Sequence, residues 1–119
     1  MDADKYYEGL LFKQEGRTAE ALAAFEAAAG EDAGSAPAWN EIGLLCDEDG
    51  RIAAAAQCYE KAVRLDSSFA KAWNNWGVTF FLKGDYAEAK IKFGEALRQD
   101  ASLESARLNL ADTEAELKE

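Results

Sequence analysis

The stretch Ala70–Leu97, AKAWNNWGVTFFLKGDYAEAKIKFGEAL, decides the fold, because its landmarks recur at one fixed distance along the chain. Moving back 34 residues returns Trp39 for Trp73, Gly43 for Gly77, Gly50 for Gly84, Ala55 for Ala89, Tyr59 for Phe93 and Ala62 for Ala96. A second step of 34 returns Gly9, Phe12, Gly16, Ala21, Phe25 and Ala28. A period kept over three copies without insertion is the mark of a repeat architecture, in which each unit is one small supersecondary element.

Within each copy the apolar residues fall at helical spacing. Helices are expected over residues 3–15, 18–30, from near Pro37 to the DEDG run, 52–65, from a cap at Ser67 or Ser68 to about Lys83, 86–99, and 103–117 behind a cap at Ser102. Gly16, Gly50 and Gly84 stop the first helix of each pair, and the short connections make sequential helices antiparallel neighbours. The prediction is an all-α solenoid of three helix hairpins with a seventh, capping helix. Glycine inside a helix costs ~1 kcal/mol relative to alanine, so Gly9, Gly43 and Gly77 imply close approach of the second helix, presenting Ala21, Ala55 and Ala89, with Phe25, Tyr59 and Phe93 filling the space beside. A stack of hairpins needs a polar end; residues 103–119 suit it, with Leu103, Leu108 and Leu110 directed inward and Asp112, Glu114, Glu116 and Glu119 toward solvent.

The 119 residues are 49% hydrophobic with one proline, and fit a single domain over 1–119. Thirteen basic against 23 acidic side chains give a formal charge of −10, an acidic protein. Nucleic acid and membrane insertion are therefore poor expectations, and a basic, amphipathic or neutral protein surface a better one. No apolar run approaches the ~18 residues of a membrane helix, and MDADKYYEG lacks the basic start of a secretion signal, so the expected location is cytoplasmic. With no histidine, the commonest general base is missing and no enzyme, cofactor or metal site is expected. Asp47, Glu48, Asp49 and Gly50 resemble the start of a calcium loop, but Cys58 stands where its closing glutamate would be; the run reads as a helix end and turn. Cys46 falls in the column of Phe12 and Phe80 and reads as a small buried side chain. Cys58 is expected nearer the surface; a redox role for the cysteines is the alternative.

The spacing W-x2-[IW]-G-x2-[CF]-x3-G-x4-A-x3-[YF]-x2-A, in Trp39–Ala62 and Trp73–Ala96, resembles the tetratricopeptide repeat. The likeness implies repeats at about 2–35, 36–69 and 70–103 and a capping helix at 104–119. The first copy departs from the pattern with Lys5, Glu8 and Glu31. The family's closing proline is replaced by Ala33, Ser67 and Ala101, which predicts less rigid turns between repeats.

The resemblance implies a non-enzymatic protein–protein interaction scaffold that binds a peptide or helix along a concave groove lined by the first helix of each hairpin. The groove columns are then Ala3, Pro37 and Lys71; Tyr6, Asn40 and Asn74; Leu10, Leu44 and Val78; and Lys13, Asp47 and Phe81, continued by Ser105, Leu108, Asp112 and Ala115. The candidate site residues are Tyr6, Leu10, Asn40, Leu44, Lys71, Asn74, Val78 and Phe81, with the two asparagines offering amides to a peptide backbone. Repeats of this family that clamp the acidic C-termini of large heat-shock chaperones use Lys and Asn at places held here by Tyr6, Leu10, Glu41, Lys71 and Asn75. Only Lys71 agrees, so that specificity is not expected. The alternatives are self-association through Tyr6, Tyr7, Leu10 and Leu11, giving a weak homo-oligomer in place of a monomer, and service as an interaction segment of a larger protein.

Overall fold

The computed structural model describes residues 2–30 and 34–118, with side chains from Lys5 onward. Ala3, Glu31, Ala33 and Glu119, each given a role in the sequence reading, lie outside the described side chains. Seven helices follow in order: α1 Asp2–Gln14, α2 Thr18–Gly30, α3 Ala36–Glu48, α4 Ile52–Leu65, α5 Ala70–Leu82, α6 Tyr86–Gln99 and α7 Glu104–Leu117. Two compact units emerge, Met1–Leu65 and Asp66–Glu119. In the first, α1 packs on α2, α2 on α3 and α3 on α4; in the second, α5 packs on α6, and α7 on both.

The 34-residue period is also a period of hydrogen bonds. Gly16, Gly50 and Gly84 each adopt φ near +80°, a left-handed conformation that costs a residue with a Cβ about 1 kcal/mol or more. The next residue's amide then closes the helix end: Arg17 donates to the Phe12 carbonyl at 2.9 Å, Arg51 to Cys46 at 2.8 Å and Asp85 to Phe80 at 2.9 Å. The glycine amides donate three residues back, to Lys13, Asp47 and Phe81. This double closure satisfies carbonyls that a helix end leaves without partners.

The helical glycines serve a different purpose from the one expected. Ala21, Ala55 and Ala89 are fully buried, but they are not what the glycines accommodate. A Cβ on Gly9 would stand 2.6 Å from the Phe25 ring, one on Gly43 2.5 Å from Tyr59, and one on Gly77 2.5 Å from Phe93. Each aromatic ring of the second helix occupies the place of the missing side chain. All three rings are 0% exposed and, with the alanines, form the core of each hairpin.

Three helix starts differ from expectation. Ser35 caps α3, its hydroxyl accepting from the Ala38 amide at 3.2 Å, with Pro37 in the first turn. At α5 and α7 the cap positions are Phe69 and Leu103, without side-chain capping. The serines assigned there act earlier: the Asp66 carboxylate accepts from both the amide (3.1 Å) and the hydroxyl (2.6 Å) of Ser68, and Asp100 does the same for Ser102 at 3.0 and 2.6 Å. An aspartate accepting from the amide two residues on fixes the turn much as a proline would, so these connections are ordered without the family's proline.

The capping helix also turns differently. Ala106 and Thr113 are fully buried, while Leu108 is 58% exposed; Leu103 and Leu110 are half-buried. The buried pair stands 34 residues after Ala72 and Thr79, which are likewise fully buried. Helix α7 thus repeats the register of α5. Both threonine hydroxyls donate back into their own helix, Thr79 to the Trp76 carbonyl at 2.6 Å and Thr113 to Asn109 at 2.7 Å, which is how a buried hydroxyl avoids a desolvation penalty.

Candidate functional site

In the second unit, α5 and α7 are brought together by a buried amide. Asn74 donates from Nδ2 to the Ser105 hydroxyl at 3.2 Å and accepts at Oδ1 from Asn109 Nδ2 at 3.0 Å. Asn74 is only 7% exposed. Its amide is therefore engaged with the capping helix, and the expectation of an open donor–acceptor pair for a peptide backbone does not hold at this position. Removing it would leave Ser105 and Asn109 short of a partner.

One turn further along α5, Val78 and Phe81 line a small cleft of about 70 Å³ with Phe93, Asn109 and Asp112. Phe93 supplies an apolar floor, and the Phe81 ring is held edge-on against Tyr86 at 5.1 Å. Asp112 is exposed and places a carboxylate on the rim. Of the residues expected on this face, Val78, Phe81 and Asp112 meet here, whereas Leu108 points to solvent and Lys71 is exposed outside the cleft lining. Asn109 was not anticipated. It stands 35 residues after Asn74, and that near-repeat of the period was the available signal.

The remaining face of α5 carries Trp73, Trp76 and Phe80. The two indoles stack at 5.7 Å, and the Lys92 ammonium lies 4.3 Å over Trp76. Trp73 also donates from Nε1 to the Ser67 carbonyl at 2.8 Å. The tryptophans are thus half-buried platforms, not enclosed core residues like Phe93.

In the first unit, Lys13 of α1 is paired with Glu41 of α3 at 2.6 Å. Tyr6 sits on the same side of α1; burial, then the Glu41 charge and Tyr7, raise the pKa of its phenol. Leu10 and Leu44 are half-buried, and Asn40 is buried and partnered. Asp47, at the end of α3, accepts from the Tyr59 hydroxyl at 2.6 Å through Oδ2. Its Oδ1 is buried with no partner among the described residues. Asp47 belongs to a helix end turned toward Tyr59, as the sequence reading held against a calcium loop.

Burial raises the Asp47 pKa, and the Tyr59 hydrogen bond only partly opposes this. The folded form therefore binds a proton more readily than the unfolded one, so Asp47 contributes a destabilising increment that develops as pH rises through and above the ordinary carboxylate range and vanishes below it. Asp47→Asn keeps an acceptor for Tyr59 and removes the charge. Thermal melts are expected to give the variant a higher Tm than wild type at pH 7, with the gap closing toward pH 3; a gap independent of pH would contradict this account.

Cys46 and Cys58 are both free and buried. The position of Cys58 corrects the expectation of a site nearer the surface: the 34-residue register turns it, like Cys46, toward the contact between α3 and α4.

Residues 43–84 match the sequence profile of the TPR repeat, and residues 70–102 that of the tetratricopeptide repeat, together spanning half of the chain. The chain belongs to the tetratricopeptide repeat family, with three repeats and an additional helix. It is similar in structure to the TPR domain of Sgt2 from Aspergillus fumigatus, with 18% identity, TM-score 0.89, 98% of this chain and 79% of that one covered. It is similar also to the first TPR of Spaghetti (RPAP3) bound to the HSP90 peptide SRMEEVD, at 19% identity and TM-score 0.91, covering 99% and 94% of the two chains. The second TPR domain of human RPAP3, in complex with the HSP70 peptide SGPTIEEVD, is 19% identical with TM-score 0.83 over 96% and 98%. No significant match is found among curated protein sequences. No helix among the described residues is long and apolar enough to cross a membrane.

Proposed function

We propose that residues 1–119 serve as a non-enzymatic scaffold that binds a short peptide segment of a partner protein, an apolar side chain entering the cleft of the second unit and an adjoining Lys or Arg meeting its acidic rim. The observation that carries this reading is the convergence of Val78, Phe81 and Phe93 with the carboxylate of Asp112. An apolar floor edged by a charge is how small grooves recognise amphipathic segments. In the first unit Tyr6, Leu10 and Leu44 offer further apolar area, and Asp47 a carboxylate oxygen still open to a donor. The relatives that hold SRMEEVD and SGPTIEEVD bind acidic peptides. Here Lys13 is neutralised by Glu41 and the chain carries a formal charge of −10, so the partner class is shared and its charge reversed.

Selection from a displayed-peptide library, followed by titration of the selected peptides, tests this reading. The expected consensus is an apolar residue beside Lys or Arg, and Asp112→Lys, an exposed substitution, is expected to weaken those peptides about tenfold while leaving stability within ~0.5 kcal/mol. A consensus of acidic C-termini, or affinity indifferent to both Asp112→Lys and Val78→Gln, would overturn it.

A second reading, self-association, is favoured by one observation: Tyr7 and Leu11, one turn apart on α1, are 65% and 53% exposed. Light scattering across a concentration range separates the two, since a constant monomer mass leaves peptide binding alone.

A further inference from the structure

We propose that Cys46 and Cys58 form a reversible intramolecular disulfide that staples α3 to α4 when the protein meets a hydroperoxide. Both thiols are buried, at 7% and 8% exposure, and lie within hydrogen-bonding reach of one another. The repeat explains the juxtaposition. Cys46 and Cys58 stand 34 residues after Phe12 and Ala24, and 34 before Phe80 and Lys92. In the flanking copies those positions also meet across the hairpin: Phe12 and Ala24 line one cleft, and the Lys92 ammonium lies 5.7 Å from the centre of the Phe80 ring. Only the middle copy places two thiols at this contact.

Access differs between the two. Cys46 lines an open cleft of about 480 Å³ with Leu22, Leu45 and Arg51, large enough to admit a small peroxide. Cys58 is absent from that lining. Burial, followed by the neighbouring Cys46, pushes the Cys58 thiol up to about 11, so Cys58 is a poor first nucleophile and Cys46 takes the first step. The Cys46 thiolate attacks a peroxide oxygen; the O–O bond breaks, water leaves after protonation, and sulfur becomes a sulfenic acid. The Cys58 sulfur then attacks the Cys46 sulfur, its proton and the departing hydroxide leave as a second water, and the S–S bond forms. Two thiols are oxidised to one disulfide as one hydrogen peroxide is reduced to two waters.

The test uses the whole chain with hydrogen peroxide as the probe. Trypsin cuts at Arg17, Arg51 and Lys61, so Cys46 falls in peptide 18–51 and Cys58 in 52–61. After peroxide treatment of the folded protein, the two peptides are expected joined, lighter by two hydrogens than their sum, and separated by reductant. Cys58→Ala is expected to stop at a sulfenic acid on Cys46 that a dione reagent traps, and Cys46→Ala to show no modification at Cys58 under the same exposure. Because closing a short loop restricts the unfolded chain, the bridged protein should melt higher by roughly 5 °C. Absence of the joined peptides, cross-links only between molecules, or a lower Tm for the bridged form would each overturn the proposal. The last outcome matters because a bridge formed only through the unfolded chain would strain the hairpin.

Discussion

Phe93→Ala is expected to destabilise the protein by about 3–5 kcal/mol, a large share of the roughly 5–15 kcal/mol that holds a small domain together. The ring is 0% exposed, fills the notch left by Gly77 on α5, and forms the floor of the cleft beside Val78 and Phe81. Truncation removes those contacts and leaves a cavity that two helices fixed by a closed glycine turn cannot readily collapse. Urea denaturation followed by tryptophan fluorescence measures it, because Trp73 and Trp76 lie in the same unit as Phe93. The control is Ile91→Ala on the same helix: Ile91 is 58% exposed, so its loss is expected to stay within ~0.5 kcal/mol. In the fraction of Phe93→Ala that remains folded, the proposed peptide affinity should fall as well, since the cleft loses its floor. A cost near that of Ile91→Ala would mean that the rings are not the centre of the hairpin core.

Much of this was legible in the sequence because the repeat supplies its own control. A residue that returns every 34 positions is answering the same local demand three times, so Gly16, Gly50 and Gly84 identified the turns and Phe25, Tyr59 and Phe93 the core without any contact being seen. What period alone does not reveal is the partner of each recurring residue. The glycines at 9, 43 and 77 implied close approach, but whether a neighbouring alanine or an aromatic ring filled the space depends on how deeply the side chains interlock. The capping helix was misread for a related reason. It lacks the tryptophan, the glycine and the aromatic that set the register elsewhere, so its leucines suggested an inward face. The weaker echoes of Ala72 by Ala106 and Thr79 by Thr113 carried the true register, and they are small residues that hydrophobicity undervalues. Asn74 was placed on the right helix and given an open amide; the side chains across from it, Ser105 and Asn109, come from a helix whose rotation the sequence reading had wrong. The candidate site therefore contracts to Val78, Phe81 and Asp112 in the second unit, with Asn74 as a support beneath it.

The second large effect is expected from a pair of substitutions whose combined result differs in sign from their sum. Gly77→Ala adds a Cβ 2.5 and 2.6 Å from two atoms of the Phe93 ring, closer than carbon atoms tolerate, and a fully buried ring has no space to retreat into. Overpacking of this kind costs about 1–3 kcal/mol; the gain of ~1 kcal/mol from replacing a helical glycine offsets only part of it. Alone, Gly77→Ala should therefore destabilise by about 1–2 kcal/mol. Once Phe93→Ala has emptied the notch, the same Cβ meets no ring and takes up part of the cavity. The helix-propensity gain then stands unopposed, and Gly77→Ala should stabilise that background by ~1 kcal/mol. The coupling between the two sites is thus about 2–3 kcal/mol, within the range found for residues in direct contact. Gly94→Ala on α6 is the reference: a Cβ there meets nothing within 4 Å, so it should stabilise by up to ~1 kcal/mol in both backgrounds. Should Gly77→Ala keep the same sign whether or not the ring is present, the ring would not be what reserves this position for glycine, and the equivalent claims for Gly9 with Phe25 and Gly43 with Tyr59 would fall with it.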